Sequence, residues 1–194
     1  YVIYTIGRVT SFQDDTLAKY NEYQHAIKNP DGSIWLDDNR SAWVDAYDEW
    51  VQNYNISAAK EAALAGFDEI NFDYVRFPEG RKWGTYYQQY MQIHQDTRSD
   101  EIIHGFLKDA YKALKPYNDN VSADIFGLVA RQWDSDDCLK IGQNWYRITT
   151  VVDYICPMIY PSHYSTGWYG FEYPDMNPYG MVFIPSGAYN MGPS

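Results

Sequence analysis

The stretch Phe67-Asp-Glu-Ile-Asn-Phe-Asp-Tyr-Val-Arg-Phe-Pro78 decides the fold. Gly66 closes an alanine-rich helical run just before it, and Pro78 stops it. Inside it Ile70 and Phe72 alternate with Glu69, Asn71 and Asp73. That period of two is the pattern of a strand, whose successive side chains leave on opposite faces. A strand entered from a helix points to a βα unit in a parallel sheet. Strands of an ordinary parallel sheet are apolar on both faces, so a polar face ending in a carboxylate calls for a reason. In a (β/α)8 barrel the carboxyl ends of the strands carry the catalytic groups, which makes Asp73 a candidate catalytic residue. The competing reading is a buried ion pair between Asp73 and Arg76 or another arginine.

Working outward, the same alternation of strand, loop and helix recurs. Tyr1–Val9 reads as a strand. Residues 10–55 show no sustained period and carry Trp35, Trp43, Trp50 and several tyrosines; a connection that long holds function or short helices. Ser57 is placed to cap a helix over 58–65. Residues 79–98 read as a second aromatic loop, with Trp83, Tyr86, Tyr87 and Tyr90. Ser99 is placed to cap a helix over 100–115, whose Ile103, Leu107, Ala110 and Leu114 form one apolar stripe. Val121–Phe126 is the next strand, with Ser122 and Asp124 on one face. A helix is expected at about 137–150 and a strand over 153–160, followed by a third aromatic loop, 161–180. All three aromatic loops follow strands, so they are expected to line one cleft at the carboxyl side of the sheet.

At 194 residues the chain is long enough for one domain with a sizeable core. Its net charge of -11 argues against a nucleic-acid partner, which demands basic surface, and disfavours anionic membranes. No apolar run reaches the roughly 18 residues of a membrane span. Two cysteines make no disulfide framework. The 20 tyrosines and 7 tryptophans exceed what a core would absorb. The four histidines lack zinc spacing. Asp134, Asp136 and Asp137 lack the glycine and distal glutamate of a calcium loop, so no metal is expected.

Taken together, Gly7-Arg8, Trp43-Val-Asp45, Gly66–Pro78, Ser122-Ala-Asp-Ile-Phe-Gly127, Ile141-Gly-Gln143 and Val152–Tyr164 resemble a bacterial family of glycoside hydrolase-like domains of unknown function. Those domains look like (β/α)8 TIM barrels, distantly akin to amylase-type enzymes. The resemblance runs collinearly over residues 1 to about 180. It implies a hydrolase of poly- or oligosaccharide without a cofactor, in an extracellular or cell-envelope setting. The alternatives are a non-catalytic carbohydrate-binding barrel and an envelope scaffold with no sugar ligand. A whole barrel takes typically about 250 residues, and four strands stand out here, with Met181–Ile184 open between a fifth strand and a helix start. The expectation is therefore a single α/β domain over 1–194 that forms an incomplete barrel, its middle βα units. The strand after the nucleophile strand of amylase-type enzymes leads to a glutamic acid; the corresponding strand here offers Asp124.

Glycoside hydrolysis needs two carboxyl groups, one to protonate the leaving oxygen and one to attack the sugar or activate water. Asp73 and Asp124 stand at matching heights on neighbouring strands, about 4.8 Å apart, and are the catalytic pair expected here. Glu69, deeper on the same face, reads as a buried structural group. Substrate-binding candidates are Arg8 and Arg76, which suit carboxylates and sugar hydroxyls, Trp43 and Asp45 as platform and acceptor, and Tyr160, His163, Tyr164 and Trp168 after the last clear strand. For Arg8 and Arg76 a plain ion pair, and for Trp43 a buried anchor for its loop, are equally open.

Overall fold

The computed structural model describes residues 3–95, 97–117, 120–130 and 135–160. The chain divides into two compact units, Tyr1–Met158 and Ile159–Ser194, and all the secondary structure described lies in the first.

That unit is built on four parallel strands in the order β1-β2-β3-β4: β1 Ile6–Thr10, β2 Glu69–Asp73, β3 Asn120–Phe126 and β4 Tyr154–Met158. Each strand lies beside the next in sequence, the order of successive right-handed βαβ units. Ile70 pairs with Gly7 and with Val121, and Phe72 pairs with Val9 and with Ala123. One register step higher, Asp73 and Asp124 therefore reach the carboxyl edge together. The four strands among the described residues are half of the eight that close a barrel.

The face of β2 away from the polar row packs on helices α2 (Glu49–Leu64) and α4 (Ser99–Leu114). Phe106 of α4 stands edge-on to Phe72 at 5.4 Å and to Phe12 at 5.1 Å. Ile103, Phe106, Leu107, Ala110 and Leu114 are all fully buried, as their stripe required. In α2 the small residues Ala59 and Ala63 are buried.

Several boundaries differ from expectation. Helix α2 begins at Glu49 rather than at residue 58, because Asp48 accepts the Trp50 N–H at 2.8 Å and caps it. Ser57 lies inside that helix, its hydroxyl turned back to the Asn53 carbonyl. Helix α4 includes Ser99, which is not its cap; Arg98 holds that position with no side-chain bond to the helix end. The helix expected at 137–150 is two short ones, α5 (Asp136–Lys140) and α6 (Trp145–Ile148), capped by Ser135 and Asn144. They are separated at Gly142, whose φ is +80°. A Cβ there would come within 2.7 Å of Ile103 Cγ1 and 2.9 Å of the Ser99 carbonyl. Gly142→Ala is expected to cost about 2 kcal/mol or more, combining a left-handed backbone with overpacking; a urea midpoint within error of wild type would contradict this.

The largest correction concerns residues 79–98. They form helix α3, Gly80–Ile93, not a loop. Trp83, Tyr86 and Tyr90 are buried on its inner side. Trp83 meets Trp35, Phe77, Tyr86, Tyr87 and Tyr90, with ring centroids between 5.0 and 6.1 Å. These rings are core. They are not the exposed loop rings expected from the sequence. The long first connection holds α1 (Asp15–Ala18) and three isolated antiparallel bridges, Ala26 to Val44, Lys28 to Ile34 and Leu36 to Ala42. Among the described residues no helix is long and apolar enough to cross a membrane.

Candidate active site

The polar face of the sheet is a connected row of side chains. At its foot Glu69, 6% exposed, accepts hydrogen bonds from Tyr4 Oη at 2.8 Å and Ser122 Oγ at 2.5 Å. Above it Asn71 Nδ2 donates to Ser122 Oγ and to Asp124 Oδ1, both at 3.0 Å. At the carboxyl edge Asp73 Oδ2 receives Arg8 Nε at 2.8 Å and also Arg8 Nη2. Asp73 Oδ1 takes the N–H of Tyr74 at 2.6 Å. Tyr74 has φ +50°, so the chain turns sharply out of β2 directly after this carboxylate.

The two candidate carboxyls sit in different surroundings. Asp73 is buried and ion-paired to Arg8, whose own side chain is 55% exposed. Asp124 is half-buried. Burial pushes its pKa above the ordinary carboxylate range; the Asn71 N–H pulls it back, the neighbouring Asp73 pushes it up again, and Arg8 opposes that. Burial likewise raises the Cys156 thiol on β4, with Asp124 and Glu69 adding to the effect. Two carboxyls in unlike environments, one paired with a cation and one pushed towards its protonated form, are what separate acid and base roles require.

This shift carries a stability signature. With a folded-state pKa above the unfolded value of about 3.9, Asp124 contributes stability that is fully present below that value. It is lost as pH rises through the folded-state value. Asparagine is neutral throughout. The Tm of Asp124→Asn relative to wild type is therefore expected to rise between pH 3 and pH 7; melts showing no such divergence would remove the shift.

Of the binding candidates among the described residues of the first unit, only Arg8 joins this group. Arg76 does not bond Asp73. It is 5% exposed, its guanidinium lying over the rings of Phe126 (4.6 Å), Trp43 (5.0 Å) and Tyr74 (5.5 Å). It donates to the Phe77 carbonyl at 3.0 Å and to Glu79 at 3.2 Å, while its Nε has no partner. Burial lowers its pKa. Trp43 is 2% exposed, with its Nε1 on Asp37 Oδ2 at 3.0 Å; an indole so enclosed offers no face to a sugar. Asp45 stands apart from Asp73, accepting from Tyr90 Oη at 2.6 Å and facing His94 at 3.4 Å. It lines a separate cleft of about 390 Å³ with His25, Asp48 and Tyr86. Tyr160 belongs to the second unit and is 49% exposed. His163, Tyr164 and Trp168 lie outside the described residues, as do the third aromatic loop and Asp134.

A further cleft of about 340 Å³ lies among Glu79, Trp83, Phe126, Leu128 and Cys138, just past the carboxyl ends of β2 and β3. Neither cleft includes Asp73 or Asp124, which stand on the sheet face itself. Among the described residues no three His, Cys, Asp or Glu side chains gather as a metal site. Reading the sequence by alternation put Asn71 and Ser122 on the polar face but gave them no role. Tyr4 and Cys156 carried no signal beyond their parity on the flanking strands.

A parallel sheet whose strands alternate with helices in sequence order is the sheet on which (β/α)-barrel domains are built. The chain belongs to the family described as "Putative glycosyl hydrolase domain", whose profile matches residues 2–188. It is similar to a hypothetical protein from Ruminiclostridium thermocellum of known crystal structure, 34% identical with a TM-score of 0.50, over 63% of this chain and 58% of that one. It also resembles the glycoside hydrolase domain of PgaB (BpsB) from Bordetella bronchiseptica, 12% identical with a TM-score of 0.52, over 84% of this chain and 52% of that one. At 12% identity that likeness is one of fold. The chain spans little more than half the length of either structure. No curated protein shows significant similarity to it.

Proposed function

We propose that the chain hydrolyses glycosidic bonds of a poly- or oligosaccharide by two-carboxylate catalysis, with Asp124 as general acid and Asp73 as nucleophile or base. The observation that carries this is the contrast between the two carboxyls on adjacent strand ends. Asp124 is pushed towards its protonated form, which is what protonation of a leaving oxygen requires. Asp73 is held as the partner of a cation and has the acceptor character of an attacking or water-activating group. Arg8, half exposed beside them, is placed to meet a sugar hydroxyl as well. An extracellular or envelope setting, where polysaccharide is met, suits this activity.

A second reading keeps the sugar and drops the chemistry: a carbohydrate-binding barrel in which Asp73 serves only to hold Arg8. The burial of Asp73 at 6% favours it. A panel of neutral, amino and acidic oligosaccharides, followed by reducing-end release and by binding calorimetry, separates the two. Release by wild type that is lost in both Asp73→Asn and Asp124→Asn supports catalysis. Binding without release supports the second reading. Neither binding nor release sinks both.

A further inference from the structure

The hydrogen bonds beneath Asp124 have a direction that can be deduced. Glu69 accepts at both carboxyl oxygens, from Tyr4 Oη at Oε2 and from Ser122 Oγ at Oε1, so both hydroxyl hydrogens point at it. Ser122 has one such hydrogen and has spent it; at its contact with Asn71 it must accept. Asn71 consequently presents its NH2 group, not its carbonyl, to the β3 side. Of the two amide hydrogens one goes to Ser122 Oγ and the other to Asp124 Oδ1. An oxygen already accepting an N–H is the poorer place for a carboxylic proton. Tyr4 is fixed in the same sense, since Asn120 Nδ2 donates to its Oη at 2.9 Å. Ser122 is fully buried, and Asn71 and Glu69 are 7% and 6% exposed, so solvent does not scramble the chain.

We propose that Glu69, Ser122 and Asn71 form a one-way relay that confines the proton of Asp124 to Oδ2, making these three the positioning residues of the general acid. This rests on the acid role proposed for Asp124. The other groups facing that carboxyl are Arg8 from β1, Asp73 from β2 and Cys156 from β4. Arg8 and Asp73 make no hydrogen bond to Asn71, and Cys156 Sγ, 4.0 Å from Asn71 Nδ2, is a weak acceptor that favours the same NH2 orientation Ser122 imposes. Catalysis gains a carboxylic acid whose hydrogen is held at one atom, so no rotation of the proton between oxygens precedes its transfer.

The relay predicts that a residue making no hydrogen bond to Asp124 controls its titration. The carboxyl of Asp124 is followed by carbon-13 NMR in protein labelled at aspartate Cγ, its resonance identified by its loss in Asp124→Asn. Asn71→Ala, which removes the donor, is expected to raise the Asp124 midpoint. Ser122→Ala is expected to raise it too, because the released amide can turn its carbonyl to Asp124 and accept from the protonated form. Ser122→Thr keeps the hydroxyl and is expected to restore the wild-type midpoint. Each variant is first checked for a wild-type circular dichroism spectrum; should Ser122→Ala fail that check, the buried hydroxyl is weakened instead by Ser122→Cys, with a smaller rise expected. An unchanged or lowered midpoint in the folded Ser122 variant overturns the relay. The titration needs no substrate: a wild type that hydrolyses nothing removes the proposed function, whereas the midpoint alone decides the relay.

Discussion

Asp73→Asn is expected to lower hydrolysis on the order of a thousandfold or more while leaving the fold in place. The rate follows from the role: losing a nucleophile or base forfeits several kcal/mol of transition-state stabilisation, and each ~1.4 kcal/mol is tenfold. Ground-state sugar binding should change far less. The stability side depends on the partner. Breaking a fully buried ion pair strands a charge and costs about 3–5 kcal/mol. Here the stranded cation would be Arg8, already 55% exposed, which water can solvate as soon as the pair is gone. The cost then approaches that of a surface pair, about 0–1 kcal/mol. Asparagine also keeps an oxygen for the Tyr74 N–H. A thermal melt run beside the hydrolysis assay on one preparation decides it. Undiminished hydrolysis sinks the catalytic assignment, and so does a loss of rate accompanied by a collapse in Tm.

The largest stability effect is expected at Trp83. It is 1% exposed and touches five aromatic rings drawn from α3 itself, from Trp35 in the first connection and from Phe77 after β2. Its Nε1 donates to the Lys140 carbonyl at 3.3 Å. Trp83→Ala removes a large fully enclosed ring and opens a cavity, worth about 3–5 kcal/mol. For a chain of this size that is a Tm drop of roughly 6–20 °C. A loss below about 1 kcal/mol would mean that α3 does not pack as described.

Trp83 also shows where sequence reading stopped. The run Trp83, Tyr86, Tyr87, Tyr90, Met91 has the offsets 0, 3, 4, 7, 8 of an inward helix face. The cluster of Trp83, Tyr86, Tyr87 and Tyr90 directly after a strand reads, in sequence, as an aromatic loop. Tertiary packing outweighed those residues' modest helix propensity. The polar face was legible because strands alternate strictly, and parallel neighbours one crossover apart put Asp73 level with Asp124. What alternation cannot supply is partner choice. Arg8 and Arg76 were equally good candidates for Asp73, and only the left-handed Tyr74, which redirects the chain after β2, sends Arg76 away from the polar row. Nor could an isolated Trp43 beside Asp45 reveal that its ring would be roofed by that same arginine.

That roof has a kinetic consequence. The rings under the Arg76 guanidinium come from the connection after β1 (Trp43), the segment after β2 (Tyr74) and the end of β3 (Phe126). Tyr74 is local to Arg76, but the other two rings belong to the neighbouring βα units, so the cation is fully enclosed only when three successive units are in place. Its contacts therefore form on the native side of the folding barrier. In a chevron plot, changes at Arg76 should steepen or lift the unfolding limb and leave the folding limb where it was, so the residue governs how long the native state lasts and not how quickly it is reached.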